Sequence, residues 1–386
     1  MNRTTLEVTF SAVDSLYFRG SRPHAAAGGS SLTSAFPPPV STFAGTLRTR
    51  LGDALGLDWS ALREGICRHT GPDLEGVDIA GLMGTSDDTG FLSFGAPVIR
   101  KGGLALLPAP STLMKADTGL VNMNLGSAVQ SDLGYVHLPV LPDGIQGAAP
   151  MDDCWLTPSG MQQFLDGKLP DKHHIVEKNQ LVHFENRLGI GRDISLGTVM
   201  SGLLYQTEHL RLAPDVDFSI RVSLPDSAAD VLLASIRQNP LQRFGGEGRM
   251  VELAAVHVEG EAVLPTPGRN PELLMLLTDM LPDESFGSAP LPGFVSTTLD
   301  GVECWKGAIA NVELYLLGVV SGKPRRFGGW DIRHNRPRPV QSYIPAGSCF
   351  YVRPVNGSDE LTQLHGEQIG RRTDFGFGTL LCAAQH

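Results

Sequence analysis

The segment RFGGEGR, residues 243 to 249, combines guanidinium groups with closely spaced glycines. Glycines permit positive φ and close backbone approach, so their amides can surround a phosphate as an anion-binding nest. Arginine bonds phosphate oxygens through two parallel N–H groups. The segment therefore predicts a phosphate-binding loop, and the alternative is that its glycines only permit tight packing against the first strand. The predicted contacts are Arg243, Gly245, Gly246, Gly248 and Arg249.

A second segment, GRRTDFGFG at residues 370 to 378, has the same composition. Its two phenylalanines favour a packed core as strongly as its arginines favour a phosphate site. We therefore keep both interpretations for this segment. The predicted contacts are Arg371, Arg372, Gly376 and Gly378.

A third segment, NRLGIGR at residues 186 to 192, places Arg187 and Arg192 on either side of two glycines. Both arginines are candidate phosphate contacts, and an ion pair with Glu185 or Asp193 is nearly as good an explanation. The standard nucleotide motifs are absent, because GIGRDI lacks the third glycine of GxGxxG and no GxxxxGK[ST] occurs.

The stretch KPRRFGGWDIRHNRPR, residues 323 to 338, concentrates positive charge in a chain whose formal net charge is -10. Aromatic side chains interleaved with arginines are typical of single-stranded RNA binding, whereas an isolated basic run is usually a solvated loop. Trp330 is equally compatible with a core position or with a partner contact. We predict RNA contacts at Lys323, Arg325 and Arg326. We predict a partner interface at Trp330, Arg333 and Arg336.

We expect no catalytic residue, no metal site and no cofactor. His173 and His174 are adjacent, so on a strand their rings point apart. The run Asp152, Asp153 and Cys154 resembles a metal cluster only loosely and is more typical of a loop. The five cysteines are widely spaced without a CxxC pair, which argues against a zinc ribbon or disulfide framework and fits a reducing cytoplasm.

The chain has 386 residues, enough for two or three domains at about 150 residues each. Its acidic balance, taken alone, argues against a dedicated nucleic-acid protein. The beginning, MNRTTLEVTF, predicts a strand rather than a secretory signal. No apolar run approaches the roughly 18 residues that a membrane-spanning helix requires, so we expect no membrane contact.

The segment FPPPVSTFAGTLRTRL, residues 36 to 51, predicts an abrupt helix start. Prolines hold the approach extended, and Ser41 or Thr42 is a suitable N-cap. Apolar residues then recur every fourth position and predict a buried stripe. Arg48 and Arg50 flank that stripe, and we expect them to bind RNA with little effect on stability, the alternative being surface ion pairs with acids.

The strongest signal of domain organisation is an internal sequence repeat, which we call the internal echo. Residues 218 to 255 and 350 to 384 each read as strand, polar turn, helix of about ten residues, basic glycine-rich loop and apolar strand. A predicted hairpin precedes the first copy, with strands at 203 to 212 and 216 to 224. With the first strand (5 to 12) and the proline-led helix this gives the βαββαβ pattern.

The predicted fold class is therefore α+β, with two ferredoxin-like units in tandem and a large insertion in the first. The first unit spans 1–258 with the insertion at about 57–200, and the second spans 259–386. In the second unit we predict a helix at 271 to 280. Its predicted strands lie near 293 to 298, 309 to 320, 325 to 333 and 347 to 354.

Two such units, each with a glycine-rich loop before its last strand, resemble the RAMP superfamily of CRISPR proteins. PPPVSTFAGTLRTRL resembles the first helix of the third subunit of the Cmr complex, the type III-B effector. The segment NRLGIGRDISLGTVMSGLLYQTEHLR (186 to 211) resembles the same family, as do RFGGEGRM, FGGWDI, YIPAGSCFYV and FGFGTLL. The matches run in order from residue 14 to the C-terminus and cover 60 to 180 poorly.

The resemblance implies a non-catalytic scaffold that binds the 5′ repeat-derived tag of a guide RNA. It implies two protein partners, the large polymerase/cyclase-like subunit and an adjacent RAMP backbone subunit, and no direct contact with DNA. Related subunits of other effector classes use a protruding thumb, which we place here at GKLPDKHHIVEK, residues 167 to 178.

Two other functions remain open from the sequence. Some RAMP proteins cut guide precursors with a histidine as general acid or base, and His24, His183 and His257 are among the histidines available. A scaffold that binds only proteins is favoured by the acidic net charge and opposed by the arginine–glycine segments.

Overall fold

The structure is a computed structural model and describes residues 2–20, 31–74, 76–85, 88–193, 195–259, 264–283, 289–331 and 336–385. It mixes helix and strand, with strand the larger share. The chain divides into two compact units. Unit 1 comprises residues 1–103, 179–261 and 326–341, and unit 2 comprises residues 104–178, 262–325 and 342–386.

The α-helices are α1 (Val40–Ala54), α2 (Trp59–Arg63), α3 (Ile79–Met83), α4 (Pro158–Leu165) and α5 (Asp226–Gln238). Short 3₁₀ helices lie at Lys172–His174, Lys178–Gln180, Ser358–Leu364 and Thr373–Phe375. Among the described residues, none of these helices combines the length and the apolar character needed to cross a membrane.

The strands up to residue 177 are β1 (Arg3–Ala12), β2 (Ser31–Leu32), β3 (Ser93–Phe94), β4 (Val98–Lys101), β5 (Leu104–Pro108), β6 (Leu113–Ala116), β7 (Gly119–Asn122), β8 (Asn124–Ser131), β9 (Gly134–Val140), β10 (Ala149–Pro150), β11 (Cys154–Leu156) and β12 (Ile175–Glu177). The later strands are β13 (Val182–Arg192), β14 (Val199–Leu212), β15 (Val216–Pro225), β16 (Leu241–Arg243), β17 (Met250–Val258), β18 (Leu273–Leu276), β19 (Val295–Leu299), β20 (Val302–Ile309), β21 (Val312–Val320), β22 (Arg325–Phe327), β23 (Trp330–Asp331), β24 (Arg336–Pro337), β25 (Gln341–Tyr343), β26 (Cys349–Pro354) and β27 (Leu380–Ala383).

In unit 1 the first strand lies inside a sheet with the order β4-β15-β1-β17-β16. It pairs antiparallel with both neighbours, so that Val8 lies opposite Ile220 of β15 and Ala255 of β17. Its alternating apolar residues bury one face, as the period of a strand requires. Phe10 of that face meets Phe43 of α1 at a ring-centroid distance of 5.1 Å, which joins the helix to the sheet.

Helix α1 confirms the predicted apolar stripe, because Phe43, Leu47, Leu51 and Leu55 are all at most 1% exposed. The predicted N-cap at Ser41 or Thr42 is wrong. The cap is Pro39, which makes no side-chain hydrogen bond, and the Thr42 amide donates to the Pro39 carbonyl at 2.9 Å. The two hydroxyl residues therefore lie within the first turn, because the helix begins two or three residues earlier than predicted.

The predicted hairpin of residues 203 to 212 with 216 to 224 is wrong. Strand β14 pairs instead with β13 along most of its length, from Val182 opposite Leu212 to Arg192 opposite Val199. Strand β15 pairs with β1 on one side and with β3 and β4 on the other. A local hairpin was predicted because adjacent strands usually pair, but a strand inside the 57–200 insertion, β4, takes that place.

In unit 2 the sheet has the order β27-β18-β26-β21-β20-β9-β8. The predicted helix at 271 to 280 is wrong, since Leu273–Leu276 form strand β18 between β26 and β27. Leu274 and Leu276 belong to one hydrophobic cluster, and Leu273 and Met275 to another. A short apolar run is ambiguous between a helix and a strand buried on both faces, and here the second alternative is correct.

The secondary structure of the two copies of the internal echo agrees only in part. The first copy has the predicted helix, α5, but the second has a 3₁₀ helix at Ser358–Leu364, whose Leu361 and Leu364 are fully buried. The expected strand near 309 to 320 corresponds to β21, Val312–Val320. His173 and His174 lie on a 3₁₀ helix rather than a strand, and their ring centroids are 3.9 Å apart, so the prediction that they point apart is wrong.

Candidate nucleic-acid interface

Two predicted arginines of unit 1 converge on a carboxylate that follows the first strand. Arg187 of β13 and Arg249 of the 243–249 loop reach Asp14 Oδ2 at 3.5 and 3.4 Å. Arg211 of β14 reaches Asp14 Oδ1 at 2.9 Å and also bonds Glu185, which lies 3.2 Å from Arg187. These five residues form what we call the Asp14 cluster.

The pairing of β13 with β14 explains the cluster. Glu185 and Arg187 are two residues apart on β13, so their side chains share a face of the hairpin. Glu185 lies opposite His209, which makes Arg211 its diagonal neighbour on β14. The turn after β1 then brings Asp14 to the same place. Sequence reasoning did not identify Asp14 and Arg211 because their roles depend on this pairing, although the i, i+2 spacing was visible.

The cluster holds its arginines in place and retains positive charge, because three guanidinium groups face two carboxylates. Hydrogen bonds from Arg211 hold the pKa of Asp14 and that of Glu185 below their usual values. The five side chains are between 23% and 48% exposed. The guanidinium groups are therefore both ordered and accessible, which suits a phosphate ligand.

The glycine loop beside the cluster is fixed to the segment that follows β1. The Gly246 amide donates to the Tyr17 carbonyl at 2.8 Å. Gly245 has φ +82°, and a Cβ there would lie 2.4 Å from the same carbonyl. These two glycines are explained by close packing, the alternative given for the loop. Gly248, with φ +64° and open space around it, and Arg243 lie exposed on the outer side of the loop.

A buried histidine lies under the cluster. His209 is 1% exposed, and its two ring nitrogens face the hydroxyls of Ser15 at 3.4 Å and Thr207 at 3.1 Å. The Tyr17 ring stacks on it at 5.4 Å between centroids. Burial, followed by the charges of Arg249 and Arg187, lowers the pKa of His209. The lowered pKa favours the neutral form of this ring, because burial and the nearby guanidinium groups disfavour its charging.

The β13–β14 hairpin exposes apolar side chains at mid-length and at its tip. Leu188 is 74% exposed and Leu196 is 73% exposed. The Asp193 carboxylate accepts bonds from the amides of Ser195 and Leu196, which shapes the tip. Arg192 is exposed beside it and donates to the Gly197 carbonyl at 3.4 Å. The hairpin therefore presents apolar and cationic groups together.

The two arginines of α1 have other contacts within unit 1. Arg48 donates to the carbonyls of Met83 and, at 2.8 Å, Thr85. Arg50 donates to the Ser235 and Asn239 carbonyls near the end of α5, and to Ser235 Oγ at 3.1 Å. Both arginines donate to backbone carbonyls. Replacing either by alanine is therefore expected to lower stability, contrary to the expectation from the sequence. Their RNA contact stays a prediction.

The 370–378 loop of unit 2 is packed from within. A Cβ on Gly378 would lie 1.8 Å from the Ile369 carbonyl, and Phe375 and Phe377 are at most 4% exposed. The Arg372 guanidinium lies 4.1 Å from the centre of the Phe375 ring. The Arg371 side chain is half-buried, and Gly376, at φ +82°, ends the 3₁₀ turn. Core packing accounts for this loop, and its phosphate contacts stay a prediction.

The basic stretch at 323 to 338 is described in part. Lys323, Arg326 and Arg336 are exposed, whereas Arg325 pairs with the Asp279 carboxylate at 3.1 Å. The backbone of Trp330 pairs with Pro337 across β23 and β24. Arg333 and the side chain of Trp330 lie outside what the structure describes, so the predicted partner interface stays a prediction.

The chain matches one known protein family over nearly its whole length. The family described as CRISPR-associated protein (Cas_Cmr3) matches residues 8–384 of the chain. No curated protein matches. The family match defines a CRISPR-associated protein. The chain belongs to the Cas_Cmr3 family, the third-subunit family of the type III-B Cmr complex, as its motifs indicated.

Several solved structures are similar in part. A chain of the type III-B Cmr-beta complex bound to cognate target RNA and AMPPnP is 17% identical, with a TM-score of 0.47, and the match covers 89% of this chain and 86% of that one. A chain of a Csm1-Csm4 cassette in complex with pppApA is 11% identical, with a TM-score of 0.33 and coverages of 91% and 87%. A RAMP protein binding different RNA substrates is 8% identical, with a TM-score of 0.32 and coverages of 98% and 99%. All three TM-scores are below 0.5, so these likenesses carry no conclusion about function.

Proposed function

We propose that the chain is a non-catalytic scaffold of a cytoplasmic type III-B effector complex that binds the 5′ repeat-derived tag of the guide RNA. In this role it bridges the large polymerase/cyclase-like subunit to the adjacent RAMP backbone subunit. Membership of the Cas_Cmr3 family supports the setting. The single observation that carries RNA binding is the Asp14 cluster, in which three arginines are ordered, accessible and in excess over their carboxylates.

We further infer that each unit contains a ferredoxin-like core. The strand order β17-β1-β15-β4 in unit 1 and the order β27-β18-β26-β21 in unit 2 both follow the arrangement in which the fourth and third strands flank the first. Two helices, α1 and α5, support this in unit 1. In unit 2 the 3₁₀ helix at Ser358–Leu364 takes the place of the second helix.

The Asp14 cluster binds RNA through phosphates rather than bases. Two oxygens of a phosphate group accept a pair of N–H groups from a guanidinium, as the two oxygens of a carboxylate do, so Asp14 marks the geometry that an incoming phosphate would share. The exposed Arg243 and the open Gly248 extend the cluster along the loop. Phosphate contacts favour a guide that carries the tag over one that lacks it, but they are independent of base sequence, so recognition of the tag's sequence must come from elsewhere.

The β13–β14 hairpin supplies the thumb, in place of residues 167 to 178. Its exposed Leu188 and Leu196 offer apolar area that the faces of unstacked bases would bury. Tyr205 lies across Gly189, where a Cβ would come within 2.6 Å of its ring, so the hairpin is stiffened at mid-length. Arg192 adds a phosphate contact near the tip.

The geometry argues against an endonuclease at the Asp14 cluster. The nearby histidine, His209, is 1% exposed and holds both ring nitrogens near protein hydroxyls. A general acid or base must come within about 3 Å of the proton that it transfers, and a ribose hydroxyl has no access to this ring.

For the large subunit, the proposed contact remains the predicted partner interface at Trp330, Arg333 and Arg336.

The test is a reconstitution with the large and backbone subunits. A labelled guide RNA with its 5′ tag, and one with the tag removed, are titrated against complexes that contain the natural chain, Arg249→Glu or the control Arg237→Glu. Arg237 lies exposed on α5, outside the cluster. We expect the tagged guide to bind intact and more tightly, and Arg249→Glu alone to reduce that preference.

Three other outcomes would change the conclusion. Equal binding of both guides would contradict recognition of the 5′ tag. Unchanged guide loading with Arg249→Glu would favour a scaffold that binds only proteins. Cutting of the guide precursor by the chain without metal would favour the endonuclease.

A further inference from the structure

A group of possible metal ligands lies in unit 2, on the turn between α4 and β12. One carboxylate oxygen of Asp171 and one ring nitrogen each of His173 and His174 all lie within 4.8 Å of one another. The turn is the 3₁₀ helix Lys172–His174, which brings the two imidazole rings to the same side. Asp171 precedes this helix without capping it through its side chain, and its carboxylate lies close enough to share an ion with the two rings.

Two of these three side chains are oriented by residues from α4 and its N-cap. The Thr157 hydroxyl lies 2.7 Å from Nδ1 of His174, which leaves Nε2 of that ring for a ligand. The Gln163 side chain donates to Asp171 Oδ2 at 2.9 Å and accepts from the Asp171 amide at 3.0 Å. Outer contacts of this kind fix the ring orientation and the carboxylate in metal sites.

We propose that Asp171, His173 and His174 form a binding site for a divalent transition-metal ion, zinc by preference, with water completing the coordination. Imidazole and carboxylate ligands suit zinc, and three protein ligands with one open position are a known arrangement for it. The proposal concerns binding and is independent of the proposed RNA function. It departs from the expectation of no metal site, which considered the cysteine spacing and the run Asp152, Asp153 and Cys154.

The direct test is a calorimetric titration of the metal-stripped full chain with zinc chloride. We expect saturable binding of one ion, and a loss of affinity of at least about tenfold in the His173→Ala, His174→Ala double variant. His183→Ala is the matched control, because His183 is an exposed histidine of unit 1 outside the group. Equal affinity in the double variant and the natural chain would overturn the proposal.

The outer contact gives a second test. Thr157→Val is expected to weaken zinc binding about tenfold while one ion is still bound, because the His174 ring loses its orienting hydroxyl. Thr157 also caps α4, so Thr157→Ser, which keeps the hydroxyl, must restore the affinity. Failure of serine to restore it would make the effect structural and count against the proposal.

A third measurement avoids substitutions altogether. In the natural chain, zinc should slow acylation of His173 and His174 by diethylpyrocarbonate, read by mass spectrometry, and leave His183 unaffected. Cobalt(II) bound in the same place should lack the absorption that thiolate ligands produce, since the free cysteines, Cys67 and Cys154 among them, are not part of the site. Protection of other histidines, or a thiolate band, would place the ion elsewhere and refute the proposal.

Discussion

The loop at 243–249 in unit 1 and the loop at 370–378 in unit 2 share arginines and glycines but not surroundings. In the first, Arg249 joins an accessible cluster around Asp14. In the second, Arg372 lies on the Phe375 ring. Both loops contain a buried phenylalanine and a glycine that packs against backbone, so the difference lies in what their arginines contact. A shared arginine–glycine composition therefore does not define a shared role.

The largest expected effect separates the two loops by stability. Gly378→Ala should lower the free energy of unfolding by about 3 kcal/mol or more, because its Cβ would lie 1.8 Å from the Ile369 carbonyl at φ +76°. Gly248→Ala should cost only about 1 kcal/mol, since φ is +64° but space is open. Urea denaturation measures both, and equal losses would contradict the contrast.

A second contrast lies between an arginine of α1 and one of the Asp14 cluster. Arg50→Ala should lower the free energy of unfolding by about 1 to 3 kcal/mol, because carbonyls at the end of α5 lose their donor. Arg249→Ala removes one longer contact to a half-exposed carboxylate and should cost less than about 1 kcal/mol. Thermal or urea unfolding measures both losses. A larger loss for Arg249→Ala would contradict a structural role for Arg50 and a mainly surface role for Arg249.

A third prediction compares the loops by RNA affinity. Arg249→Ala should weaken binding of the tagged guide roughly tenfold, the value of a charge-assisted bond, whereas Arg372→Ala should leave it unchanged. Filter binding at one fixed salt concentration measures both variants. If Arg372→Ala weakens binding as much, the second loop also contacts RNA and the two loops no longer differ in role.

The smallest effect concerns pH. The pKa of His209 is lowered from 6.5 by burial, so the unfolded chain takes up a proton more readily and stability must fall as pH drops below about 6.5. His365 in unit 2 is lowered in the same direction by burial. His209→Gln should flatten part of this dependence in urea denaturation between pH 7.5 and 5.5. An unchanged pH profile would contradict the burial of this ring.

Local patterns in the sequence were sufficient for single elements and insufficient for their partners. The stripe of α1 and the strands β1, β15 and β26 follow from periodicity, which needs only neighbouring residues. The pairing of β14 with β13 does not, because it depends on competition between distant strands. Only part of the Asp14 cluster was predicted, for the same reason. Arg187 and Arg249 lie in recognisable motifs, whereas the roles of Asp14 and Arg211 depend on the pairing of β13 with β14.

The run at 271 to 280 and the pair at 173 and 174 illustrate a second limit. The five consecutive apolar residues at 273 to 277 are compatible with a helix or with a strand covered on both faces, and only the two flanking hydrophobic clusters decide between them. Adjacent histidines diverge on a strand but converge on a 3₁₀ helix. In both cases the element type, which tertiary packing determines, changes the chemistry that the residues can perform.

Phosphate binding by the Asp14 cluster is best tested through the salt dependence of guide binding in the reconstituted complex. The plot of log affinity against log salt should become shallower in the Arg211→Gln, Arg249→Gln variant, by about 0.7 for each phosphate that is no longer neutralised. The control Arg237→Gln should keep the natural slope. A slope in the cluster variant equal to that of the natural complex would contradict phosphate binding by the Asp14 cluster.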